Sequence, residues 1–201
     1  MVKLDILKKD FPVALQGFEQ EILREYLQCL ILQILFDSQL GQKFCFLGGT
    51  CLRLVHGTSR FSEDLDFDNF NIDAAIFEDV KALMLKELSG KGFAVDVESA
   101  GKNAFRLDIK FNEMLYDLNL TGHKNQKLLI QLDSEAQQFD FVPEPYLLNR
   151  FGVFTQLQTT PASLILAQKF YAILNRPRNK GRDFYDVVFL IGQGTKPNYH
   201  Y

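Results

Sequence analysis

Phe46-Leu-Gly-Gly-Thr-Cys-Leu-Arg-Leu-Val-His-Gly-Thr-Ser-Arg-Phe-Ser-Glu-Asp-Leu-Asp-Phe-Asp68 is the stretch on which the fold turns. It reads as the end of a strand, a glycine turn, a short helix, an arginine-bearing loop and a second strand. Lys43 to Leu47 is a short, largely apolar run that stops at Gly48 and Gly49, as expected of a buried strand entering a tight turn. Two glycines let the backbone approach a ligand with no Cβ in the way. Thr50 stands where a helix N-cap is expected, with free backbone N–H groups behind it, a setting that favours phosphate. Asp64, Asp66 and Asp68 alternate with Leu65 and Phe67. On a strand, that period puts the three acids on one face and the two apolar residues on the other.

Carboxylates aligned on one face repel each other. A hard divalent ion, held through one or two carboxylates and the phosphates of a substrate, relieves that repulsion. Asp64 and Asp66 are therefore the expected ligands of Mg²⁺ or Mn²⁺, and two such ions would clamp both oxygens of an in-line phosphoryl displacement. Arg60 and Ser62, just before the acids, are placed to steady a triphosphate. A lone Asp-x-Asp is more often a solvated strand face. The diglycine turn upstream and the Arg-x-Ser between them favour chemistry.

The 201 residues, 47% of them apolar, suffice for one sizeable core with a small helical appendage. No apolar run has bilayer-spanning length, and no membrane partner is expected. The N-terminus mixes Lys3, Asp5, Lys8, Lys9 and Asp10 without a cleavage pattern. Cys29, Cys45 and Cys51 lie in apolar contexts and read as buried free thiols, which points to a reducing cytoplasm. No Cys/His spacing suggests zinc. A formal net charge of −3 weighs against a strong grip on nucleic acid by this chain alone.

Residues 11–39 carry helical stripes, Leu15, Phe18, Ile22, Tyr26, Leu30 and Ile34 among them, and predict one long core helix. Asp73 is expected to cap a second helix reaching about Ser89. Phe93 to Glu98, Ala104 to Phe111, Met114 to Leu120 and Lys127 to Leu132 read as strands of one sheet. Short turns between them make it mostly antiparallel. Gln137 to Thr155, with Pro143 and Pro145, reads as an irregular loop whose aromatic residues pack beneath it. The expected organisation is a helical segment at 1–42 packed on the core, a sheet domain at 43–158 and a helical segment at 159–201 that completes the site.

Thr160 and Pro161 suit a helix start, with Thr at the cap and Pro first, running to about Asn175. Lys169 lies on a stripe with Ala162, Ile165 and Ile173, where an ammonium needs an anionic partner or a route to water. Arg176, Arg178, Lys180 and Arg182 crowd the loop that follows. Arg182 to Leu190 predicts another helix, with Phe184, Val187, Val188 and Ile191 facing the core. Asp183 and Asp186 share one of its faces, and Arg182 is spaced to pair with Asp186.

Two blocks of residues resemble the AbiEii/AbiGii toxin family, MenT-like members of the nucleotidyltransferase fold superfamily. The first is Gly48, Gly49, Thr50, Leu52, Arg60, Ser62, Asp64 and Asp66. The second is Thr160, Pro161, Leu166, Ala167, Lys169, Arg176, Arg182, Asp183 and Asp186. The likeness covers about residues 44–191. It implies an α+β fold with a nucleotidyltransferase-like mixed, mostly antiparallel sheet flanked by helices. It implies a metal-dependent toxin that transfers a nucleotide from a nucleoside triphosphate to an acceptor such as tRNA, opposed by a cognate antitoxin. Lys169 and Asp183 would complete the catalytic set of Asp64 and Asp66. Gly48, Gly49, Thr50, Arg60, Ser62, Lys169 and Arg176 would bind the nucleotide. The family's third acid aligns with Gln131, an amide that cannot act as a base. Asp133, two residues on and on the same face, is the favoured substitute, and Asp108 the other. This departure motivates an alternative: a non-catalytic nucleotide-binding or protein-interaction module on the same fold. Many relatives of this kind continue into further helices, so a C-terminal part is either missing from this sequence or absent by nature.

Overall fold

The computed structural model describes residues 3–100, 105–137, 139–178 and 180–201. Along the chain the elements are α1 (Leu4–Leu7), α2 (Glu19–Phe36), β1 (Phe44–Leu47), α3 (Gly48–Leu54), β2 (Leu65–Asn69), α4 (Ala74–Gly90), β3 (Val95–Ala100), β4 (Phe105–Phe111), α5 (Met114–Asp117), β5 (Leu128–Ala136), β6 (Glu144–Arg150), β7 (Val153–Thr159), α6 (Ala162–Asn175) and α7 (Gly181–Gly192). The seven strands form one sheet in the order β3-β4-β5-β2-β1-β7-β6. Contacts β5–β2 and β1–β7 are parallel, and the other four are antiparallel. This is the mixed, mostly antiparallel α+β sheet expected from the sequence. The acid strand β2 sits at its centre.

Strand parity decides what lies on each side of β2. Leu65 and Phe67 are buried, and the Phe67 ring lies 6.2 Å from Phe36 of α2, 5.7 Å from Phe44 and 5.5 Å from Phe46. That face packs beneath α2 and α4. Each fully buried Phe or Leu contributes about 1.5–3 kcal/mol relative to exposure. Asp66 and Asp68 consequently point to the other face, towards α6. Asp73 caps α4, accepting from the Ile76 N–H at 2.8 Å. Cys29, Cys45 and Cys51 are buried free thiols, and burial pushes Cys29 and Cys45 up to about 12. No helix among the described residues is long and apolar enough to cross a membrane.

Several local expectations are corrected. The helix expected over 11–39 begins only at Glu19. Before it, Val13–Leu15 is a single 3₁₀ turn, and Phe11 leaves that line to pack with Leu7 and Ile22 in a satellite cluster. Met114 to Leu120 is not a strand. Glu113 and Asn119 adopt left-handed backbone (φ 57° and 56°), and the Leu120 N–H returns to the Leu115 carbonyl at 2.8 Å, leaving one helical turn. The strand expected from Ala104 starts at Phe105, Ala104 itself lying outside the described residues.

The supposed loop at Gln137 to Thr155 contains most of the hairpin β6–β7. Phe151 and Gly152, φ 55° and 76°, form its two-residue turn, both central residues left-handed as such hairpins require. Pro145 is tolerated because β6 is an edge strand. Thr160 is not the cap of α6. Pro161 holds that position, while the Thr160 N–H bonds the Phe46 carbonyl at 2.9 Å and extends the sheet. On α7, Val187 and Leu190 are buried, but Phe184, Val188 and Ile191 are exposed rather than core-facing.

One buried ion cluster ties the hairpin to the rest. Glu25 of α2, 2% exposed, lies 2.9 Å from Arg53 Nε and 2.7 Å from Arg150 Nη2. The Arg53 guanidinium stacks 4.8 Å from the Phe61 ring, and that of Arg150 lies 4.8 Å from Phe11 and 4.9 Å from Phe151. Removing a buried anion leaves its cations uncompensated. Glu25→Ala should therefore lower the unfolding free energy by about 3 kcal/mol, read as an earlier urea midpoint at pH 7.

Candidate active site

Gly48 ends β1 with φ +80°, and a Cβ there would stand 2.0 Å from Asp66 Oδ2. A Cβ on Gly49 would stand 2.6 Å from Arg60 Nη2 and 2.7 Å from Ser62 Oγ. The diglycine therefore lets the acid strand and the arginine loop both close onto the turn. Helix α3 already begins at Gly48, with Leu47 at the cap, so Thr50 is not the N-cap expected from the sequence. Its buried hydroxyl donates to the Asp64 carbonyl at 2.5 Å and fixes the backbone that carries that acid. From α2, Gln28 Nε2 donates to the carbonyls of Ser62 and Glu63, both at 3.0 Å.

The second sequence block meets the first through Asp186. This carboxylate is fully buried on α7. It accepts from Arg60 Nε at 2.8 Å and Nη2 at 2.7 Å, and Lys169 Nζ of α6 lies 2.9 Å away. Burial pushes Asp186 up, but Arg60 and Lys169 outweigh it and hold the carboxyl below its usual range. The Arg182–Asp186 pair expected from helical spacing gives way to these two tertiary cations. Lys169 Nζ is also 3.1 Å from Asp183 Oδ1, and Arg176 pairs with the other oxygen of Asp183.

A cleft of about 820 Å³ opens between the sheet and α6. Gly48, Asp66, Asp133, Lys169, Arg176 and Asp183 line it, so residues from both blocks share one pocket. Asp68 lines it too, accepting from Gln137 Nε2 at 2.7 Å and Gln168 Nε2 at 3.4 Å. Gly49, Thr50, Arg60, Ser62 and Asp64 stand behind or beside this lining. Asp133 is the register partner of Asp66 across β2–β5 and is held by both arms of Arg106 from β4. Gln131 donates to Asp108 at 3.1 Å, so these two occupy each other two residues away from the Asp66 row.

Burial and the neighbouring Asp64 push Asp66 up to about 6, against the opposing Lys169. Burial also lifts Asp68 to about 6, despite the amides bonded to it, and raises Asp64. Among the described residues, Asp64 and Asp66 have no ion-pair partner within contact distance, and no three His, Cys, Asp or Glu side chains converge as a ready-made metal cage. Two adjacent carboxylates that resist shared ionisation, beside a glycine without Cβ, fit a hard divalent ion completed by substrate oxygens.

Arg106 and Gln28 escaped the sequence reading. Gln28 lies within the helix that carries the apolar stripes, and its contacts with Ser62 and Glu63 are long-range. Arg106 requires the β4–β5 register, which no local pattern prints.

A central mixed sheet, a diglycine turn against an aspartate row and a lysine-bearing helix over the cleft define a nucleotidyltransferase-type fold. The family model described as nucleotidyl transferase AbiEii toxin of type IV toxin–antitoxin systems matches residues 30–199, and the chain belongs to that family. JHP933 from Helicobacter pylori is similar in structure at 22% identity and a TM-score of 0.58, the match covering 87% of this chain and 67% of that one. The nucleotidyltransferase toxin MenT4 from Mycobacterium tuberculosis is similar at 19% identity and a TM-score of 0.61, covering 92% of this chain and 63% of that one. This chain thus spans about two thirds of the length of each. Among curated proteins, none matches the chain.

Two outcomes follow from this geometry. Gly48→Ala should cost at least about 2 kcal/mol of stability, because it adds a collision to a left-handed backbone. In an Asp66→Gly background, which also removes the Asp66 Cβ that would lie at 2.8 Å, that cost should fall towards about 1 kcal/mol, the backbone part; a double-mutant cycle in urea measures the coupling. In EDTA, Asp66 and Asp68 titrate near 6 when folded and near the ordinary ~3.9 when unfolded. The folded chain binds more protons between about pH 4 and 6, so stability from these acids is lost as pH rises through that window. Mg²⁺, which needs Asp66 ionised, should raise the melting temperature more at pH 7.5 than at pH 5, and Asp66→Asn should flatten the difference.

Proposed function

We propose that this chain transfers a nucleotide from a nucleoside triphosphate to the hydroxyl of an RNA acceptor, with tRNA as the acceptor class, and that a cognate antitoxin restrains it. The observation that carries this reading is the meeting of Lys169, delivered by α6, with Asp66 and Gly48 of the distant glycine–aspartate block in one cleft. Net charge does not favour nucleic acid, but Arg176, Arg178, Lys180 and Arg182 gather positive charge in the α6–α7 segment, where Arg176 lines the cleft. In this reading Asp64 and Asp66 hold Mg²⁺ or Mn²⁺. When bound, the ion supplies Lewis-acid neutralisation of the reacting phosphate.

The residues do the remaining work by position and charge. Gly48 brings backbone to the triphosphate without a side chain, and Gly49 lets Arg60 and Ser62 close behind it. Thr50 keeps the Asp64 backbone in place. Lys169 and Arg176 face the phosphates, and Lys169 offsets the charge that grows on pyrophosphate as the bond from the α-phosphorus to its bridging oxygen breaks. The acceptor oxygen forms the new bond to the α-phosphorus and releases its proton to water. Asp183 and Asp186 orient Lys169. Arg60, paired with Asp186, acts through that carboxylate, and Ser62 packs against the Gly49 turn.

Incubation with α-labelled nucleoside triphosphates, Mg²⁺ and bulk tRNA tests this. Label should enter tRNA, and Asp66→Ala or Lys169→Ala should each lower the rate by at least about 100-fold. In cells, wild type should arrest growth and Asp66→Ala should not. Absence of transfer to any RNA or protein acceptor, with equal growth of both strains, would defeat the reading.

A further inference from the structure

We propose that Arg106 is a resident cation of the site: its fork on Asp133 withholds that carboxylate from metal, so the acidic row takes one divalent ion, on Asp64 and Asp66, and not two. The inference rests on the metal assignment made above and deepens it.

The geometry is a single cross-strand row. Arg106 of β4 is the register partner of Asp133 of β5, and Asp133 is the register partner of Asp66 of β2. Partners on adjacent strands share a face at about 5 Å, so guanidinium, carboxylate and carboxylate stand side by side. Arg106 Nε donates to one oxygen of Asp133 and Nη2 to the other, the latter at 3.1 Å. That two-armed pairing engages both oxygens through which a hard cation would bind. Of the other acids on β4 and β5, Asp108 is bonded to Gln131 and Glu135 stands one row further on, opposite Asp68, so Asp133 is the one that faces Asp66.

The neighbouring charges are engaged elsewhere: Lys169 pairs with Asp183 and Asp186, and Asp68, the next acid of β2, accepts from Gln137 and Gln168. Arg106 is not a strut of the core: its side chain is 43% exposed. Pairs this open contribute little to stability, so its removal should read on metal binding and not on folding.

Mn²⁺ binding to EDTA-stripped protein at pH 7.5, followed by the electron paramagnetic resonance of free Mn²⁺, tests the assignment without turnover. Wild type should bind one ion. Arg106→Gln should bind a second, with an affinity within about tenfold of the first. The charge-neutral Arg106→Gln/Asp133→Asn variant should return to one ion, within about threefold of the wild-type affinity. Two ions on wild type, one ion on Arg106→Gln, or a loss beyond about tenfold in the double variant would each overturn the proposal. Wild type with no affinity for Mn²⁺, indistinguishable from Asp66→Asn, would overturn it together with the metal assignment itself. Thermal denaturation of each variant confirms folding.

Discussion

The buried carboxylate of Asp186 is the contact on which the site depends. It is the point where the arginine loop between the glycine turn and the acid strand meets the helices that follow the sheet. A buried anion must be paired or neutralised, and here it takes two cations, Arg60 from the loop and Lys169 from α6. Fixing one end therefore fixes the other. Without this contact the arginine loop would keep, among the described residues, only the Ser59–Tyr185 hydroxyl contact to α7, and Lys169 would be left with Asp183 alone.

Around that latch, charges divide into two groups that answer different needs. Lys169, Arg60 and Arg176 are met by Asp183 and Asp186 on α7, and this side is settled within the protein. On the sheet side, Asp64 and Asp66 remain without a contacting cation among the described residues, while burial raises both and the Asp64 charge raises Asp66 further. The sheet holds them in this uncomfortable arrangement because Leu65 and Phe67 are locked into the core on its other face. Packing on one side of a strand thus secures electrostatic strain on the other, which is how a cation-seeking site is maintained by a fold that gains nothing from it directly.

How far this was readable from residues varies with the range of the physics involved. The parity of Asp66 and Asp68 needs only a strand's period of two, and Asp73 needs only its own helix, so both are visible locally; Asp64, expected on the same strand face, lies just before β2 and outside the cleft lining. The β6–β7 hairpin was hidden by Pro143 and Pro145, although Val153, Thr155, Leu157 and Thr159 alternate as a strand should. The turn at Met114 was hidden because left-handed Glu113 and Asn119 carry no reliable mark. Asp186 was assigned to Arg182 by helical spacing, a surface-strength attraction that cannot compete with a buried two-armed partner 126 residues away. Arg106 depended on strand register, which emerges only once the sheet is assembled.

The chain order of the cleft also has a bearing on its biosynthesis. Every strand of the sheet precedes Thr160, whereas Lys169, Asp183 and Asp186 all follow it. A nascent polypeptide emerging from the ribosome exposes the aspartates first and the amine last. Until α6 and α7 have left the exit tunnel, Arg60 has no carboxylate to grip and the pocket has no roof. Assembly of the cleft is thereby deferred until α7 has been translated, so products that stop before Thr160 carry the platform but not the charge that faces it.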